Sequence, residues 1–340
     1  MFAYSRLCYK SLIHLLTYPL ASPSHQGGDN HMKILVTGVN GQLGHDVINE
    51  LAARGHEEMG SGSSAAYHGV ADGSAAAVGP YEQMDITDEA EVRAVLEKIR
   101  PDGVIHCAAW TAVDAAEDAE NQPKVQAVNV LGTRNIAQAC KDLDAKMLYI
   151  STDYVFDGQG TELWKADCQT FAPLNVYGRS KLEGELAVKE LLEKYFIVRI
   201  AWVFGLNGNN FVKTMMKVGK THDTLRVVND QIGTPTYTKD LARLLVDMIE
   251  SEKYGVYHAT NEGGYISWYD FAREIFHQAG YTTKVIPVTT EEYGLSKAKR
   301  PFNSRLDKSK LEEKGFHPLP DWRDGVRRYL EELGVALSVK

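Results

Sequence analysis

Lys33-Ile34-Leu35-Val36-Thr37, running into Gly38-Val39-Asn40-Gly41-Gln42-Leu43-Gly44, is the stretch on which the fold turns. A short apolar run ends at three evenly spaced glycines, and a helical pattern continues to Arg54, with Gly55 placed to cap its C-terminus. Strand, tight turn and helix in that order let the backbone approach a pyrophosphate, which then meets the free N–H groups of the helix start. Glycine spacing alone would carry little; this context makes Gly38, Asn40, Gly41, Gln42, Leu43 and Gly44 a dinucleotide-binding segment.

Strand and helix signals then alternate. A second strand is expected around His56 to Met59, with no Asp or Glu near its end to hold an adenosine ribose. The chain instead enters a small-residue loop from Gly60 to Pro80 that contains neither Arg nor Lys. Loss of the carboxylate leaves room for a 2′-phosphate, so the reading is NADPH, with NADH accepted. Asp85-Ile86 is expected to close a third strand beside the adenine, with Asp88 and Glu91 forming a capping box for a helix to about Ile99. Gly103 to Ala109 reads as the fourth strand, and Ala108 and Ala109 permit close approach of a cofactor. Trp110 and Thr111 continue over the cleft. Asn129 falls inside the next helix, where a mediocre helix former is suited to tying elements together. The alternation gives an α/β fold: a Rossmann-type parallel sheet with helices on both faces and a smaller C-terminal substrate-binding lobe.

Met147 to Ile150 forms the fifth strand and delivers Thr152 and Asp153 at its carboxyl end, where open α/β sheets bind ligands. Thr152 offers a hydroxyl to a carbonyl, and Asp153 an acceptor for sugar hydroxyls. Tyr177 and Lys181 follow, four residues apart and on one face if helical. A phenol titrates near about pH 10 unperturbed, and a nearby ammonium lowers that value, so the pair suits proton transfer.

The bulk properties set limits. With 340 residues, 44% hydrophobic and 24% charged, the chain has the make-up of a soluble globular protein of two lobes. A net charge of -8 argues against a nucleic-acid surface. Cys8, Cys107, Cys140 and Cys168 show neither C-x-x-C pairing nor metal-ligand spacing, which fits thiols in a reducing cytoplasm. His106 and His258, which end apolar strands, read as satisfied core histidines. Residues 1–31 lack a periodic core pattern and read as a disordered leader or an upstream-shifted start. No segment approaches a membrane span of about 18 apolar residues. The cofactor domain is expected over 32–205, with 238–262 returning to it. Residues 206–237 and 263–340 would form the substrate lobe. There Asn210, Phe211 and Lys213 sit at a helix start, with Lys213 able to meet a phosphate, and Arg300, Asn303 and Arg305 form a polar cluster suited to a diphosphate.

Together the glycine turn, Thr152 and Tyr177-x-x-x-Lys181 resemble the extended short-chain dehydrogenase/reductase family. Thr111-Ala112-Val113-Asp114, Ser151 to Gly158, Asn175 to Glu185, Asn209 to Met215, Asp230 to Thr236 and Arg300 to Leu306 are similar to its dTDP-4-dehydrorhamnose reductase branch. The resemblance implies reduction of the C4 keto group of a dTDP-linked 4-keto sugar, the last step of dTDP-L-rhamnose synthesis. Tyr177 would be the proton donor, and Lys181 would hold the nicotinamide ribose and lower the Tyr177 pKa. Thr152 would bond the reacting oxygen, and Asp153 and Trp202 would shape the sugar pocket. It also implies a homodimer and, in some relatives, a non-catalytic Mg²⁺. Two other functions share these motifs: a nucleotide-sugar epimerase, and a non-catalytic NADP-binding subunit like that of methionine adenosyltransferase. A dehydratase would carry Asp-Glu after the threonine, whereas Asp153 is followed by Tyr154.

Overall fold

Strand β1 (Lys33–Thr37) places Ile34 and Val36 in one apolar layer and Leu35 in another, so both of its faces are buried. This is the pattern of a parallel sheet covered on each side. In the computed structural model, which describes residues 31–337, β1 pairs in parallel with β2 (Glu57–Gly62) and with β4 (Gly103–His106). Beyond β2 lies β3 (Tyr81–Gln83); beyond β4 come β5 (Lys146–Thr152), β6 (Tyr195–Ile200) and β7 (Gly255–His258). The sheet is parallel throughout, in the order β7-β6-β5-β4-β1-β2-β3. Strand order reverses between β1 and β4, and the crevice at that switch point is where such sheets receive ligands.

Helix α1 (Gln42–Ala53) covers one face through Val47, Ile48 and Leu51, packed with Leu241, Leu245 and Ile249 of α6 (Thr238–Ile249). On the other face Val92 and Leu96 of α2 (Glu89–Ile99), Ile136 of α3 (Thr133–Asp142) and Val188 of α4 (Val176–Leu191) share a second core. A third core gathers Val212 and Met216 of α5 (Phe211–Gly219), Phe271 and Ile275 of α7 (Trp268–Ala279) and Tyr329 of α8 (Trp322–Glu332). Beside it the strands Thr224–Val228 and Lys284–Val288 pair in parallel. From His31 onward the chain packs as one unit. The expected leader lies outside the described residues. Among the described residues no helix is long and apolar enough to cross a membrane.

Local details depart from the sequence reading. β2 continues to Gly62, whereas β3 stops at Gln83, short of Asp85. Asp85 instead accepts from the backbone N–H and hydroxyl of Thr87 at 2.9 and 2.8 Å, closing a tight turn. That turn draws Glu91 away, so the expected capping box is half made: Asp88 accepts from Glu91 N at 3.0 Å, but Glu91 accepts from Asp85 N at 3.1 Å. β4 ends at His106, whose Nδ1 lies 2.8 Å from Thr37 Oγ1 and Nε2 3.2 Å from Thr133 Oγ1. Asn129 lies in a π-helical segment, Ala127–Gly132, a wider winding than the α-helix expected there.

The glycine turn depends on close approach. Gly38 has φ +72°, and a Cβ there would stand 2.7 Å from Ala108 N and 2.9 Å from the Cys107 carbonyl carbon. Gly38→Ala should therefore lower stability by about 1–3 kcal/mol through a strained left-handed residue and a backbone clash. Urea denaturation of variant and parent measures the difference.

Candidate active site

At the carboxyl ends of the strands, both lobes line a cleft of about 1440 Å³. Its floor is the glycine turn. Gly41 is the N-cap of α1 and makes no side-chain cap bond, and the first turn of α1 contains no acidic residue, so that helix start offers its N–H groups to an anion. At Gly44 a Cβ would meet the Gly38 carbonyl O at 2.5 Å, so the bare backbone itself forms this surface. Asn40, Gln42, Leu43, Asp85, Ile86, Ala108 and Ala109 also line the cleft, and together these features fit a dinucleotide. Asp85 reaches it with its carboxylate already engaged by Thr87.

Opposite lie Thr152, Tyr177 and Lys181. Asn175 caps α4 by accepting from Gly178 N at 2.7 Å, so Tyr177 and Lys181 face the end of β5 from the first turns of that helix. Burial raises the Tyr177 pKa, the nearby Asp153 charge raises it further, and a hydrogen bond with Thr152 opposes both. The phenol is thus protonated, as a proton donor must be. Burial pulls the Lys181 ammonium down to about 7, with its Nζ 4.1 Å from the centre of the Tyr149 ring. Lys181, expected to lower the Tyr177 pKa, is not among the groups that act on it; burial has the largest effect. Thr152 donates to Asp153 Oδ1 at 3.0 Å, and burial pushes the Asp153 carboxyl up to about 6. Asn129 bridges both halves of the site: it accepts from Trp110 N at 2.8 Å and donates to Ser180 Oγ at 2.9 Å.

Residues from the C-terminal part of the chain close the far side. Trp202, at φ 51°, stacks on Trp268 with ring centres 3.7 Å apart, and Phe211 and Phe271 extend this aromatic wall. A non-glycine residue in that region costs roughly 1–3 kcal/mol; the stack and a bond from Thr236 N to Trp202 O at 3.1 Å hold it there. Gln42 ties the lobes together, its Oε1 accepting from Gly205 N and Asn210 Nδ2, each at 2.9 Å. Asn210 also caps α5, so this cleft-lining side chain is already engaged. Thr111 and Arg300 line the cleft, and Arg300 donates to Asp114 at 2.6 Å.

Three expected site residues are not among the lining. Lys213 donates to the carbonyls of Leu206 and Gly208, which turns its ammonium back onto its own loop. Asn303 is buried, donating to the Gln159 and Glu162 carbonyls at 3.2 and 2.8 Å, and so fastens one loop to another. The Trp110 indole donates to Ala112 O at 3.1 Å. Conversely, Asp114 and Trp268 line the cleft, although the sequence reading gives Asp114 no role and takes the aromatics of the helix that starts at Ser267 as core or lobe interface. Among the described residues there is no cluster of three or more His, Cys, Asp or Glu able to hold a metal ion, so the Mg²⁺ of the resemblance has no such group here.

Residues 32–335 match the family described as RmlD substrate binding domain. The chain belongs to this family. It is 38% identical over 304 residues to the spore coat polysaccharide biosynthesis protein SpsK of Bacillus subtilis, covering 89% of this chain and 99% of that protein. It is 37% identical over 316 residues to the dTDP-4-dehydrorhamnose reductase of Aggregatibacter actinomycetemcomitans, covering 88% and 99%. The crystal structure of a Bacillus anthracis dTDP-4-dehydrorhamnose reductase in complex with NADP superposes with a TM-score of 0.79 at 39% identity, covering 89% of this chain and 99% of that one.

The raised Asp153 pKa makes this acceptor sensitive to acid. Affinity for a ligand that donates hydroxyls to Asp153 should fall as pH drops through about 6, and Asp153→Asn should flatten that dependence. Calorimetric titration on both sides of that pH checks both statements.

Proposed function

We propose that this protein reduces the C4 keto group of dTDP-4-dehydro-L-rhamnose to dTDP-L-rhamnose with NADPH, the last step of dTDP-L-rhamnose synthesis. The observation that carries the reading is the convergence of Thr152, Tyr177 and Lys181 on one cleft wall, facing the glycine turn, in a chain of this family. NADPH, when bound, supplies a hydride to the carbonyl carbon. The chain supplies the rest. Tyr177, held protonated by burial, gives its proton to the carbonyl oxygen as that oxygen gains charge, so that ketone becomes alcohol. Thr152 bonds the same oxygen, which requires its hydroxyl to turn from Asp153 to the substrate; a donor aimed at developing charge in a dry site is worth more than in water. Asp153 is then free to accept from a sugar hydroxyl. In its ammonium form Lys181 binds ribose hydroxyls and favours the tyrosinate left after proton transfer.

The coenzyme choice rests on the end of β2. Gly62 carries no carboxylate for a ribose 2′-hydroxyl, and Ser63 and Ser64 follow it into the cleft. This supports NADPH, with NADH accepted. The chemistry of a dehydratase is disfavoured because Tyr154, in place of a second carboxylate, stands edge-on to Tyr177 with ring centres 5.8 Å apart.

Purified protein should oxidise NADPH only when the 4-keto sugar nucleotide is supplied, consuming one coenzyme per product; an epimerase would consume none. Tyr177→Phe should reduce the rate by about 10² to 10⁴ while leaving coenzyme binding in place. No turnover by the parent, or a Tyr177→Phe variant as fast as the parent, overturns the reading.

A further inference from the structure

Below the cleft, α4 carries a second polar group that the reaction described above does not use. Glu185 lies one turn beyond Lys181 on the same helix face and is completely buried. Its Oε1 accepts from Ser151 Oγ at 2.6 Å and from Arg199 Nε at 2.8 Å, and its Oε2 from Arg199 Nη2 at 2.7 Å. Arg199 is equally buried, packed against the Phe156 and Phe171 rings, and its Nη1 donates to Ala166 O at 3.2 Å. Ser151 and Arg199 are register partners on β5 and β6, and Ser151 immediately precedes Thr152. One carboxylate on the tyrosine helix is therefore bolted to the two strands that present Thr152.

The surroundings of Lys181 give this bolt an electrostatic role. Facing it are Tyr149 from β5 and His106 and Cys107 from the end of β4, with Tyr177 and Glu185 on its own helix. Burial pushes the Tyr149 phenol up and the Cys107 thiol up to about 12, and pulls His106 down to about 3, so all three are neutral. Tyr177 is neutral as well. Burial lowers the Lys181 pKa, and Glu185 is the larger of the two groups that oppose this, ahead of Cys107, whose thiol is itself neutral near pH 7. Glu185 is shared with two further cations, the bidentate Arg199 and Lys189 at 3.8 Å, so its carboxylate cannot swing away.

We propose that Glu185, fixed by Arg199 and Ser151, is a positioning residue that favours the ammonium form of Lys181 and holds the tyrosine helix in register with Thr152. The proposal rests on the reading in which Lys181 serves Tyr177, but its primary test does not need turnover. Full-length protein carrying ¹³Cε-labelled lysine is titrated by NMR, with Lys181→Met assigning the resonance. Glu185→Gln should move the Lys181 midpoint down by about 1 to 3 pH units, and Glu185→Asp should restore part of the shift. Because Glu185→Gln leaves Arg199 buried without its anion, the paired variant Glu185→Gln/Arg199→Met, which removes both charges, serves as the folded reference. In the assay of sugar reduction, both variants should lose kcat at neutral pH, with KM for NADPH little changed, and recover rate toward lower pH. A merely structural role would lower the rate equally at every pH. An unmoved Lys181 midpoint in the folded paired variant overturns the proposal. A parent that fails to reduce the sugar nucleotide overturns the proposed function and leaves the NMR result standing.

Discussion

The close approach of α4 to the sheet is the contact on which the site depends. Gly184 sits where any Cβ would run into the Tyr149 hydroxyl and the Asn129 carbonyl, and at Gly178 a Cβ would run into the Tyr154 carbonyl. Between these two bare positions lie Ser180 and Lys181, with Tyr177 directly before the first. The gap is bridged by polar contacts that a displaced helix would lose: Tyr149 donates to Lys181 O at 3.2 Å, and Asn129 donates to Ser180 Oγ. An error of about 1 Å in the placement of reacting groups can cost roughly 10²-fold in rate, so in the proposed reaction this packing would be part of the chemistry.

Dryness follows from the same packing. Lys181 and Asp153 are buried and Tyr177 half-buried, and burial pushes each toward its neutral form. A low local dielectric makes every remaining charge act more strongly on its neighbours. The second lobe contributes through a small number of directed ties. The hydrogen bonds of Gln42 to Gly205 and Asn210, continued from Asn210 to Tyr329 at 2.9 Å, join the glycine turn to α5 and α8. The glycine turn and the aromatic wall are thereby set in one frame.

Much of this was legible in the chain itself. The order of apolar runs and helical stretches gives the parallel sheet, because period and length are local properties. Asn175 and Asn210 sit at helix starts and do cap them. The placement of individual polar side chains was another matter. Lys213 and Asn303 have the chemistry of ligand contacts, yet one closes its own loop and the other pins two loops together. Asp85 and Glu91 exchanged the expected capping arrangement for a tight turn, since a carboxylate takes whichever N–H is nearest and the choice is settled by a few degrees of backbone.

By itself the sequence determined what is written in short-range order: the turn at Gly38 to Gly44, the helix face shared by Tyr177 and Lys181, and the delivery of Thr152 at the end of a strand. Only the tertiary structure decided which groups are deprived of water and by which partners. Lys181 lies 4.1 Å from the centre of a tyrosine ring, and Arg199 meets Glu185 beside two phenylalanines. Neither arrangement follows from spacing. Desolvation and charge pairing depend on atoms brought together from β4, β5, β6 and α4, and those distances do not exist until the sheet has closed.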